Sequence, residues 1–419
     1  MIGLLKIAWG AAVCAVAILE FWTIFSFNKM NLMLIGKYPP IQGGVSSQIF
    51  WLMKSLGERG HNISVISNCM EVEEEYRMQL NDIDVEKLQP KGVKLHSTVP
   101  VRTYSFIPRT NPYSEKLISL ALDVSDDQSP DLIFGWYLLP YGVAAHSAAN
   151  LLGKKYALNH AGSDITTLFN DPYLQRFLRR IILDADAIFT RLGIEEKFKE
   201  LGAKQTFVQD VNPVPGVFNP YDEKLDVLKE FGLDIDNEKT LLFLGKVNKT
   251  KGIEYLLDAF GDLDEDTNLI VCGNGMYRTK CENRVLKLGL KNRVHFVGTL
   301  PHWRIPSLIR SVKAVVVPEY NFGVSIHRSG IPYESILCGK VALVSSEIIG
   351  SYGDLSKYFL EIDPPNRIQF SERLEMVLHD DETNKNLTKN HNKIRSLVGD
   401  YESYVQRMEK SIMEVAQSV

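Results

Sequence analysis

The sequence predicts an α/β protein built from two Rossmann-like doubly wound domains that face a cleft. From residue 31 onward, short apolar segments alternate with amphipathic helical segments, which is typical of parallel sheets covered on both faces. The chain has 419 residues, which is too long for one compact core. Residues 212–220 contain three prolines and a glycine, so they resist helix and strand pairing and divide the series into two halves.

The first half begins with an apolar strand at residues 31–36, followed by a loop that contains Gly43 and Gly44. A helix is predicted next, capped by Ser46 or Ser47 and closed by Gly60. Its apolar face recurs with helical spacing at Ile49, Leu52, Met53 and Leu56. Further strands of this half are predicted at residues 63–67, 132–135, 156–159 and 187–190.

The second half repeats the alternation. Its strands are predicted at residues 241–245, 269–272, 294–298, 314–318 and 341–345. The helix after the first of these strands has its apolar face at Ile253, Leu256, Leu257 and Phe260. These patterns predict a first domain at residues 30–215, a second at 216–398, and a terminal helix at 399–419 that crosses back to the first domain.

Residues 1–29 form an apolar segment that precedes the first domain. The stretch at residues 2–27 is long enough to cross a bilayer as a helix, although Lys6 and Glu20 interrupt it. It is either a membrane anchor or a non-native extension upstream of a start at Met30 or Met33. Both interpretations stay open.

Composition excludes several classes of protein. The net charge of -4 and a pI of about 6.2 do not fit a general nucleic-acid binder. The five cysteines include no CxxC pair and are typical of reduced cytosolic thiols. We therefore expect a cytoplasmic location, at the cytoplasmic face of a membrane if the apolar segment is an anchor.

A loop with two lysines follows the first strand of the second half. Lys246 and Lys251 lie between Gly245 and the next helix, where backbone N–H groups and the helix N-terminus also attract phosphate oxygens. Cleavage of a sugar–diphosphate bond leaves negative charge on the diphosphate, so fixed positive charge beside it lowers the barrier. A later segment at residues 328–339 contributes Glu334. Together the two segments indicate a site for a sugar nucleotide that requires no metal ion.

Seven short motifs occur in order along the chain: YPPIQGGVSSQ, NHAGSDI, VNPVPGVFNP, GKVNKTKG, VCGNG, VHFVGTL and PYESILCGKVALVS. Each motif is weak by itself, but the order and spacing are fairly specific. Through them, residues 31–419 resemble the GT-B glycosyltransferases of the large retaining family 4, the glycosyl transferases group 1. The resemblance implies a cleft in which the second domain mainly holds the donor and the first mainly holds the acceptor.

The resemblance also implies which residues bind the donor. Lys246 and Lys251 would hold the diphosphate, and Glu334 would accept hydrogen bonds from the ribose hydroxyls. The other donor-binding residues implied are Gly43, Gly44, Gly245, Gly273, Gly275 and His327. Ordinary turns explain the glycines too, a solvated loop explains the lysines, and a carboxylate near a helix start explains Glu334.

The catalytic residues implied are His160, Lys246, Lys251 and Arg328. His160 matches, within one position, the family's first-domain histidine near the reacting sugar. A packed, hydrogen-bonded histidine is the alternative. Asp164 either orients the same loop or caps the next helix.

One position departs from the family pattern. Ile326 stands eight positions before Glu334, where the family usually has a second glutamate. Either His327 and Arg328 contact the donor sugar there, or Glu319 returns to the site through an insertion in this loop.

The sequence thus predicts a retaining, hexosyltransferase-type glycosyltransferase with a nucleotide sugar as co-substrate and no other cofactor. A metal-dependent alternative could use Asp184-Ala185-Asp186, but two other DxD-like segments match equally well. The acceptor is a glycan, a lipid-linked molecule or another compound. The helix at residues 173–183 mixes arginines with apolar residues, and either touches anionic lipid or is a core helix with a charged outer face.

Two alternative functions remain open. The first is a nucleotide-sugar epimerase of similar fold, which would convert the donor without an acceptor. The second is a noncatalytic partner subunit that binds nucleotide, which the isoleucine at position 326 motivates.

Overall fold

The computed structural model describes residues 29–100, 111–160, 162, 164–165, 168–209, 213–222, 227–321, 323 and 329–418. The strands of the first domain are β1 Asn31–Gly36, β2 Asn62–Ser67, β3 Val93–Ser97, β4 Leu132–Trp136, β5 Lys155–Asn159, β6 Ala187–Arg191 and β7 Thr206–Gln209. The strands of the second domain are β8 Thr240–Leu244, β9 Asn268–Cys272, β10 Val294–Gly298, β11 Ala314–Val317, β12 Val341–Ser345 and β13 Leu360–Ile362.

Helices cover both sheets. Those of the first domain are α1 Gly44–Glu58, α2 Asp82–Lys87, α3 Tyr113–Asp127, α4 Val143–Leu152, α5 Pro172–Asp184 and α6 Glu195–Leu201. The remainder are α7 Val227–Glu230, α8 Ile253–Phe260, α9 Arg278–Lys287, α10 Ile305–Arg310, α11 Ile331–Leu337, α12 Ser346–Ile349, α13 Arg367–His379, α14 Asp381–Lys389, α15 His391–Val398 and α16 Tyr401–Gln417.

Both sheets are parallel and share one topology. The first sheet has the order β3-β2-β1-β4-β5-β6-β7, and the second has the order β10-β9-β8-β11-β12-β13. In each sheet the strand order reverses at the first strand, and ligands of open α/β sheets bind outside the carboxyl ends of the strands at such a point. The predicted fold class of two doubly wound domains is confirmed. The apolar N-terminal segment lies outside the described residues.

The predicted strands match observed strands to within one residue at each end. Three of the described strands, β3, β7 and β13, were not predicted. β3 and β7 form the two edges of the first sheet, and β13 forms one edge of the second. Their burial patterns are mixed, unlike the continuous burial of β4 or β8. An edge strand is covered less completely, so its sequence lacks the apolar run that makes central strands recognisable.

Helix α1 begins earlier than predicted. Its N-cap is Gly43 rather than Ser46 or Ser47, which lie buried inside the first turns of the helix. The predicted apolar face is confirmed, because all four of its residues are fully buried. Arg59 ends the helix and Gly60 follows with a φ of 102°.

The terminal helix α16 packs on the first domain although it follows the second domain in sequence. Its apolar face joins the core that contains β1 and α1, through Tyr404, Val405, Met408, Ile412 and Val415. Three further contacts hold it: Arg59 binds Glu402 and Glu409, and His61 Nε2 lies 2.7 Å from Glu409 Oε1. The two domains are therefore connected both by the linker and by this returning helix.

Two arginines bind the linker to the second domain. Arg310 donates to the carbonyl oxygens of Val217 and Asn219, and Arg395 donates to those of Val214 and Phe218. These contacts satisfy backbone carbonyls that a proline-rich segment cannot pair in a ladder. Among the described residues, no helix combines the length and apolar character required to span a membrane.

Candidate functional site

The loops after β1 and β8 meet at the boundary between the domains. Lys37 follows β1, and its Nζ lies 3.2 Å from the position that a Cβ on Gly43 would occupy. Lys246, from the second domain, places its Cε 3.8 Å from the same position and its Nζ 5.9 Å from the centre of the Tyr76 ring of the first domain. Two ammonium groups from different domains therefore lie beside the N-terminus of α1, where backbone N–H groups are unsatisfied.

This cluster has an excess of positive charge. Burial, together with the nearby Lys246, lowers the pKa of Lys37 to about 7. Burial and the charge of Lys251 also lower the pKa of Lys246. A cation that loses hydration beside other cations favours its neutral form. The cluster is consequently suited to an anionic ligand, which would offset both effects.

Lys251 is held by a buried carboxylate. Its Nζ lies 2.5 Å from Glu319 Oε1, and the Glu319 side chain is 1% exposed. Asn248 accepts a hydrogen bond from the Lys251 backbone N–H and so shapes the turn. Glu319, one of the two alternatives for the missing family carboxylate, thus reaches the lysine loop, where it contacts a lysine.

The Gly-Asn-Gly turn after β9 supports the lysine loop. A Cβ on Gly273 would lie 1.7 Å from the carbonyl oxygen of Gly245, and a Cβ on Gly275 would lie 2.6 Å from that of Val247. These glycines allow one backbone to pack directly on another. Gly245 in turn faces Ile331 of α11, whose Cδ1 would lie 3.8 Å from an added Cβ.

The first domain contacts the same turn. Gln42 Nε2 donates to the Asn274 carbonyl oxygen at 3.4 Å, and Thr299 Oγ1 donates to Gln42 Oε1 at 3.1 Å. The Gln79 backbone N–H donates to the Thr299 carbonyl oxygen at 2.7 Å. At Gly44, by contrast, an added Cβ would meet no atom within 4 Å. The loops touch on one side of the lysine cluster and leave space at the first turn of α1.

Glu334 lies near this boundary, on α11. Its Oε1 is 3.1 Å from His302 Nε2, and Trp51 Nε1 of the first domain is 2.5 Å from His302 Nδ1. The Glu334 side chain is 14% exposed. The carboxylate is therefore partly open to solvent and partly held by a histidine that contacts the other domain.

His160 is deeply placed in the first domain. Its side chain is 2% exposed, its Nε2 is 2.8 Å from Thr190 Oγ1, and its ring packs on Phe198. Burial, with the charge of Arg191, lowers its pKa to about 3, so it is neutral at physiological pH. Its Nδ1 has no hydrogen-bond partner among the described residues. This geometry fits a packed histidine, and its catalytic role stays a prediction.

Asp164 orients the neighbouring loop. Its two carboxylate oxygens accept hydrogen bonds from the backbone N–H groups of Leu138 and Ile165. Ile326, His327 and Arg328 lie outside the described residues. The predicted contact of the latter two with the donor sugar therefore stays a prediction. In the part of the chain that the structure describes, no cluster of three or more His, Cys, Asp or Glu residues could hold a metal ion.

The basic helix predicted at residues 173–183 is α5. Leu178, Ile181 and Ile182 are buried in the first-domain core, whereas Tyr173 is 93% exposed. Asp184, from the DxD segment, accepts from His146 and Arg180. One face of the helix therefore belongs to the core, and contact of its outer face with anionic lipid stays a prediction.

Sequence reasoning missed three residues of the site. Lys37 was not named, although a charged residue at the carboxyl end of a central parallel strand is a recognisable signal. Trp51 and His302 gave no such signal, because their contact joins residues 251 positions apart.

The sequence has relatives among known proteins. Residues 228–394 match the family model of Glycosyl transferases group 1. The uncharacterized glycosyltransferase MJ1178 of Methanocaldococcus jannaschii is 22% identical over 86% of this chain and 92% of that protein. MJ1607 of the same organism is 30% identical, but over 33% of this chain and 34% of its own length.

A third relative carries an activity in its name. GalNAc-alpha-(1->4)-GalNAc-alpha-(1->3)-diNAcBac-PP-undecaprenol alpha-1,4-N-acetyl-D-galactosaminyltransferase of Campylobacter jejuni is 25% identical over 52% of this chain and 58% of that protein. The chain thus carries a group 1 domain and has glycosyltransferase homologues.

Solved structures confirm the fold. Anabaena Alr3699/HepE in complex with UDP-glucose superposes with a TM-score of 0.65 at 14% identity, covering 92% of this chain and 100% of that one. Sucrose-phosphate synthase from Thermosynechococcus elongatus gives 0.63 at 16% identity, covering 92% and 99%. At these identities the likeness shows the two-domain fold alone.

Proposed function

Because residues 228–394 form a Glycosyl transferases group 1 domain, we propose that this protein is a glycosyltransferase that moves a sugar from a nucleotide-sugar donor to an acceptor. One observation carries the proposal. Lys37 of the first domain and Lys246 of the second converge beside Gly43, without a carboxylate partner among the described residues. Such a cluster favours a diphosphate over a neutral or cationic ligand.

The chemistry follows from the charges of the reaction. The bond between the anomeric carbon and the diphosphate oxygen breaks, and its electron pair leaves with the diphosphate. Lys246, Lys37 and the N–H groups at the start of α1 stabilise that negative charge, while Glu319 fixes Lys251 at the edge of the cluster. The acceptor hydroxyl forms the new bond to the anomeric carbon and gives its proton to the departing phosphate. We propose retention of configuration and no role for a metal ion, as expected from the family 4 resemblance.

Glu334 supplies recognition of the nucleotide. Its Oε1 is held by His302, and its Oε2 has no hydrogen-bond partner among the described residues. That oxygen accepts hydrogen bonds from the ribose hydroxyls in this proposal. A carboxylate placed to accept from the substrate's hydroxyl groups disfavours analogues that lack those hydroxyls.

The acceptor proposed is a glycan or a lipid-linked saccharide. The Campylobacter relative is named for an acceptor with an undecaprenol carrier. That relative aligns over about half of each chain, so it supports a class of acceptor rather than a particular compound. A lipid-linked acceptor would place the reaction at the cytoplasmic face of a membrane, where we expect the enzyme to work.

The test combines donor binding with transfer. A thermal-shift panel of nucleotide sugars identifies the donor, because a ligand that binds the native state stabilises it in proportion to occupancy. With that donor, K246M and K251M each reduce transfer by roughly 100-fold or more. K251M also lowers stability, because the buried Glu319 carboxylate loses this ion pair. K249M is the matched control, because Lys249 lies on the same loop and is exposed.

The outcomes separate three functions. Acceptor-dependent release of nucleoside diphosphate with a new glycosidic product supports the proposal. An altered donor sugar formed without an acceptor would identify an epimerase. Donor binding without transfer to any tested acceptor and without slow donor hydrolysis would indicate a noncatalytic subunit. Unchanged transfer by K246M and K251M would refute the role of the lysine cluster.

A further inference from the structure

We propose that His302 is a positioning residue that couples contact between the two domains to the orientation of Glu334. Through Glu334 it would control binding of the ribose part of the nucleotide. The inference rests on the proposed function, because only a nucleotide ligand gives Glu334 its role.

A continuous chain of hydrogen bonds joins the domains at this point. It runs from Trp51 on α1 of the first domain, through His302, to Glu334 on α11 of the second domain. The distance from Trp51 Nε1 to His302 Nδ1 is 2.5 Å, and that from His302 Nε2 to Glu334 Oε1 is 3.1 Å. We call these three side chains the relay.

The direction of the relay follows from the donors available. An indole N–H can only donate, so His302 Nδ1 must be the acceptor and carry no proton. The single proton of the neutral imidazole is then on Nε2, where it is donated to Glu334 Oε1. Contact with the first domain therefore fixes the tautomer that holds the carboxylate.

The surroundings keep the imidazole in one place. The ring of Phe218, from the linker, packs on His302 with the ring centres 5.2 Å apart. Trp51 is 6% exposed and belongs to the first-domain core, so its indole moves with that domain. His302 thus lies where the first domain, the linker and the second domain meet.

Separation of the domains would break the relay at the indole. His302 would then be free to exchange its proton between the two ring nitrogens, and Glu334 would lose a donor that always points at Oε1. Restoring domain contact would restore both. Groups held in the binding geometry before the ligand arrives improve affinity, because less conformational entropy is lost on binding.

A second indole offers a matched control. Trp303 belongs to the second domain and donates from Nε1 to Asp84 Oδ1 of the first domain at 2.7 Å. Both tryptophans pack on Phe50, with ring centres 5.2 and 4.7 Å away. The Trp303 bond crosses the same boundary but does not involve Glu334.

The relay itself is tested without any ligand. Nitrogen-15 NMR of histidine-labelled full-length protein should show His302 as a neutral ring with its proton on Nε2. W51F should lead to a mixture of tautomers, whereas W303F should leave the His302 signals unchanged. A proton on Nδ1 in the parent protein, or His302 signals insensitive to W51F, would overturn the relay.

Its consequence is tested with two probes. Calorimetry measures binding of inorganic pyrophosphate, which engages the lysines only, and of whichever of UDP, GDP, ADP, CDP and dTDP binds most tightly. W51F and H302L should weaken the nucleoside diphosphate by roughly 10-fold and leave pyrophosphate unchanged. H302Q, which keeps a donor for Glu334, should recover part of the affinity for the nucleoside diphosphate. W303F should not weaken binding of the nucleoside diphosphate more than binding of pyrophosphate.

Other results of these binding measurements would separate the coupling between the domains from the proposed donor class. Equal losses for W51F and W303F, or equal losses for both probes, would reduce the relay to an ordinary interdomain contact and refute the coupling. A parent protein that binds pyrophosphate but no nucleoside diphosphate would refute the coupling and the proposed donor class together. Retention of the NMR signature in that case would show that the proposed function, and not the hydrogen-bond geometry, had failed.

Discussion

Lys37 illustrates how one residue can be unfavourable for the fold and useful for a site. Its ammonium lies close to Lys246 at the N-terminus of α1, and burial together with that neighbour lowers its pKa to about 7. In the unfolded chain the same group has a pKa near 10.4. The folded protein therefore binds this proton less tightly than the unfolded chain does.

Replacement of Lys37 by methionine should stabilise the ligand-free protein. A base with a lowered folded pKa destabilises the fold fully below about pH 7, and the penalty disappears as pH rises toward about 10.4. The melting temperature of K37M should therefore exceed that of the parent at pH 6.5, and the difference should shrink by pH 9.5. For a chain of this size each kcal/mol corresponds to roughly 2 °C.

The control for this prediction is K249M, at an exposed lysine of the second domain. It should show no comparable pH-dependent gain. K37M should also weaken pyrophosphate binding. Stabilisation without any loss of pyrophosphate affinity would remove Lys37 from the anion site.

At the scale of an element, the turn between β8 and α8 depends on Gly252. This residue has a φ of 68°, and a Cβ there would lie 1.8 Å from the Pro318 carbonyl oxygen. Gly289 provides a close comparison, with a φ of 72° and no atom within 4 Å of an added Cβ. The two glycines share a left-handed backbone but differ in their neighbours.

G252A should therefore be more harmful than G289A. The left-handed conformation alone costs about 1–2 kcal/mol for alanine, which is the expectation for G289A in urea denaturation. G252A should add a further loss of about 1–3 kcal/mol, because the Pro318 backbone must move. Equal losses in the two variants would show that the close backbone contact is unimportant.

The docking of α16 depends on a buried carboxylate. Burial raises the pKa of Glu409, but the hydrogen bond from His61 and the charge of Arg59 outweigh burial and hold that pKa below its usual value. His61 accepts from the Met30 N–H through Nδ1, which leaves its Nε2 proton for Glu409. The Glu409 carboxylate of α16 therefore contacts Arg59 at the end of α1 and His61, and His61 also binds the backbone just before β1.

E409Q should destabilise the protein by about 2–4 kcal/mol at pH 7, measured by urea denaturation. A lowered folded pKa stabilises above the unfolded value of about 4.3, and the effect is lost as pH falls through the folded pKa. The difference between parent and variant should therefore decrease at pH 4. E402Q is the control, because Glu402 also binds Arg59 but is 61% exposed, and its loss should stay below about 1 kcal/mol.

At the scale of the whole molecule, two arginines of the second domain bind the described part of the linker. Arg395 donates to the carbonyl oxygens of Val214 and Phe218, and Arg310 donates to those of Val217 and Asn219. Residues 213–222 should therefore move together with the second domain. The returning helix α16 supplies the second connection.

R395M should release this segment from the second domain. Two buried carbonyls would lose a charged donor, so cleavage by a nonspecific protease within residues 213–222 should accelerate by roughly 10-fold, which corresponds to about 1.4 kcal/mol of local opening. Limited proteolysis with mass spectrometry measures the rate. R373M, at a partly exposed arginine of α13, should leave it unchanged, and equal cleavage rates in parent and R395M would contradict the attachment of this segment to the second domain.

The fold was predicted in detail where the pattern is local. β1, β10 and β12 have the predicted bounds, and the helix faces of α1 and α8 are buried as expected. The edge strands β3, β7 and β13 were missed, since they are only partly covered and lack an apolar run, whereas the edge strand β10 was predicted. The start of α1 was misplaced, because a glycine N-cap gives no side-chain signal.

The candidate site shows the same division. Lys246, Lys251 and Glu334 were identified from residue types and spacing along the second domain, and their roles stay predictions. The sequence could not show three contacts of these residues: Lys246 with the first domain, Lys251 with Glu319, and Glu334 with His302. Each joins residues that are distant along the chain or that belong to different domains.

The sequence by itself determined the two sheets. The spacing of apolar residues that distinguishes strands from helices is visible over a few neighbouring positions, and each domain buries its own apolar faces. Only the tertiary structure decided which charges meet. The convergence of Lys37 with Lys246 and the contact of Trp51 with His302 arise from the packing of one domain on the other. A local pattern carries no record of that packing, since it depends on the shapes of two complete surfaces.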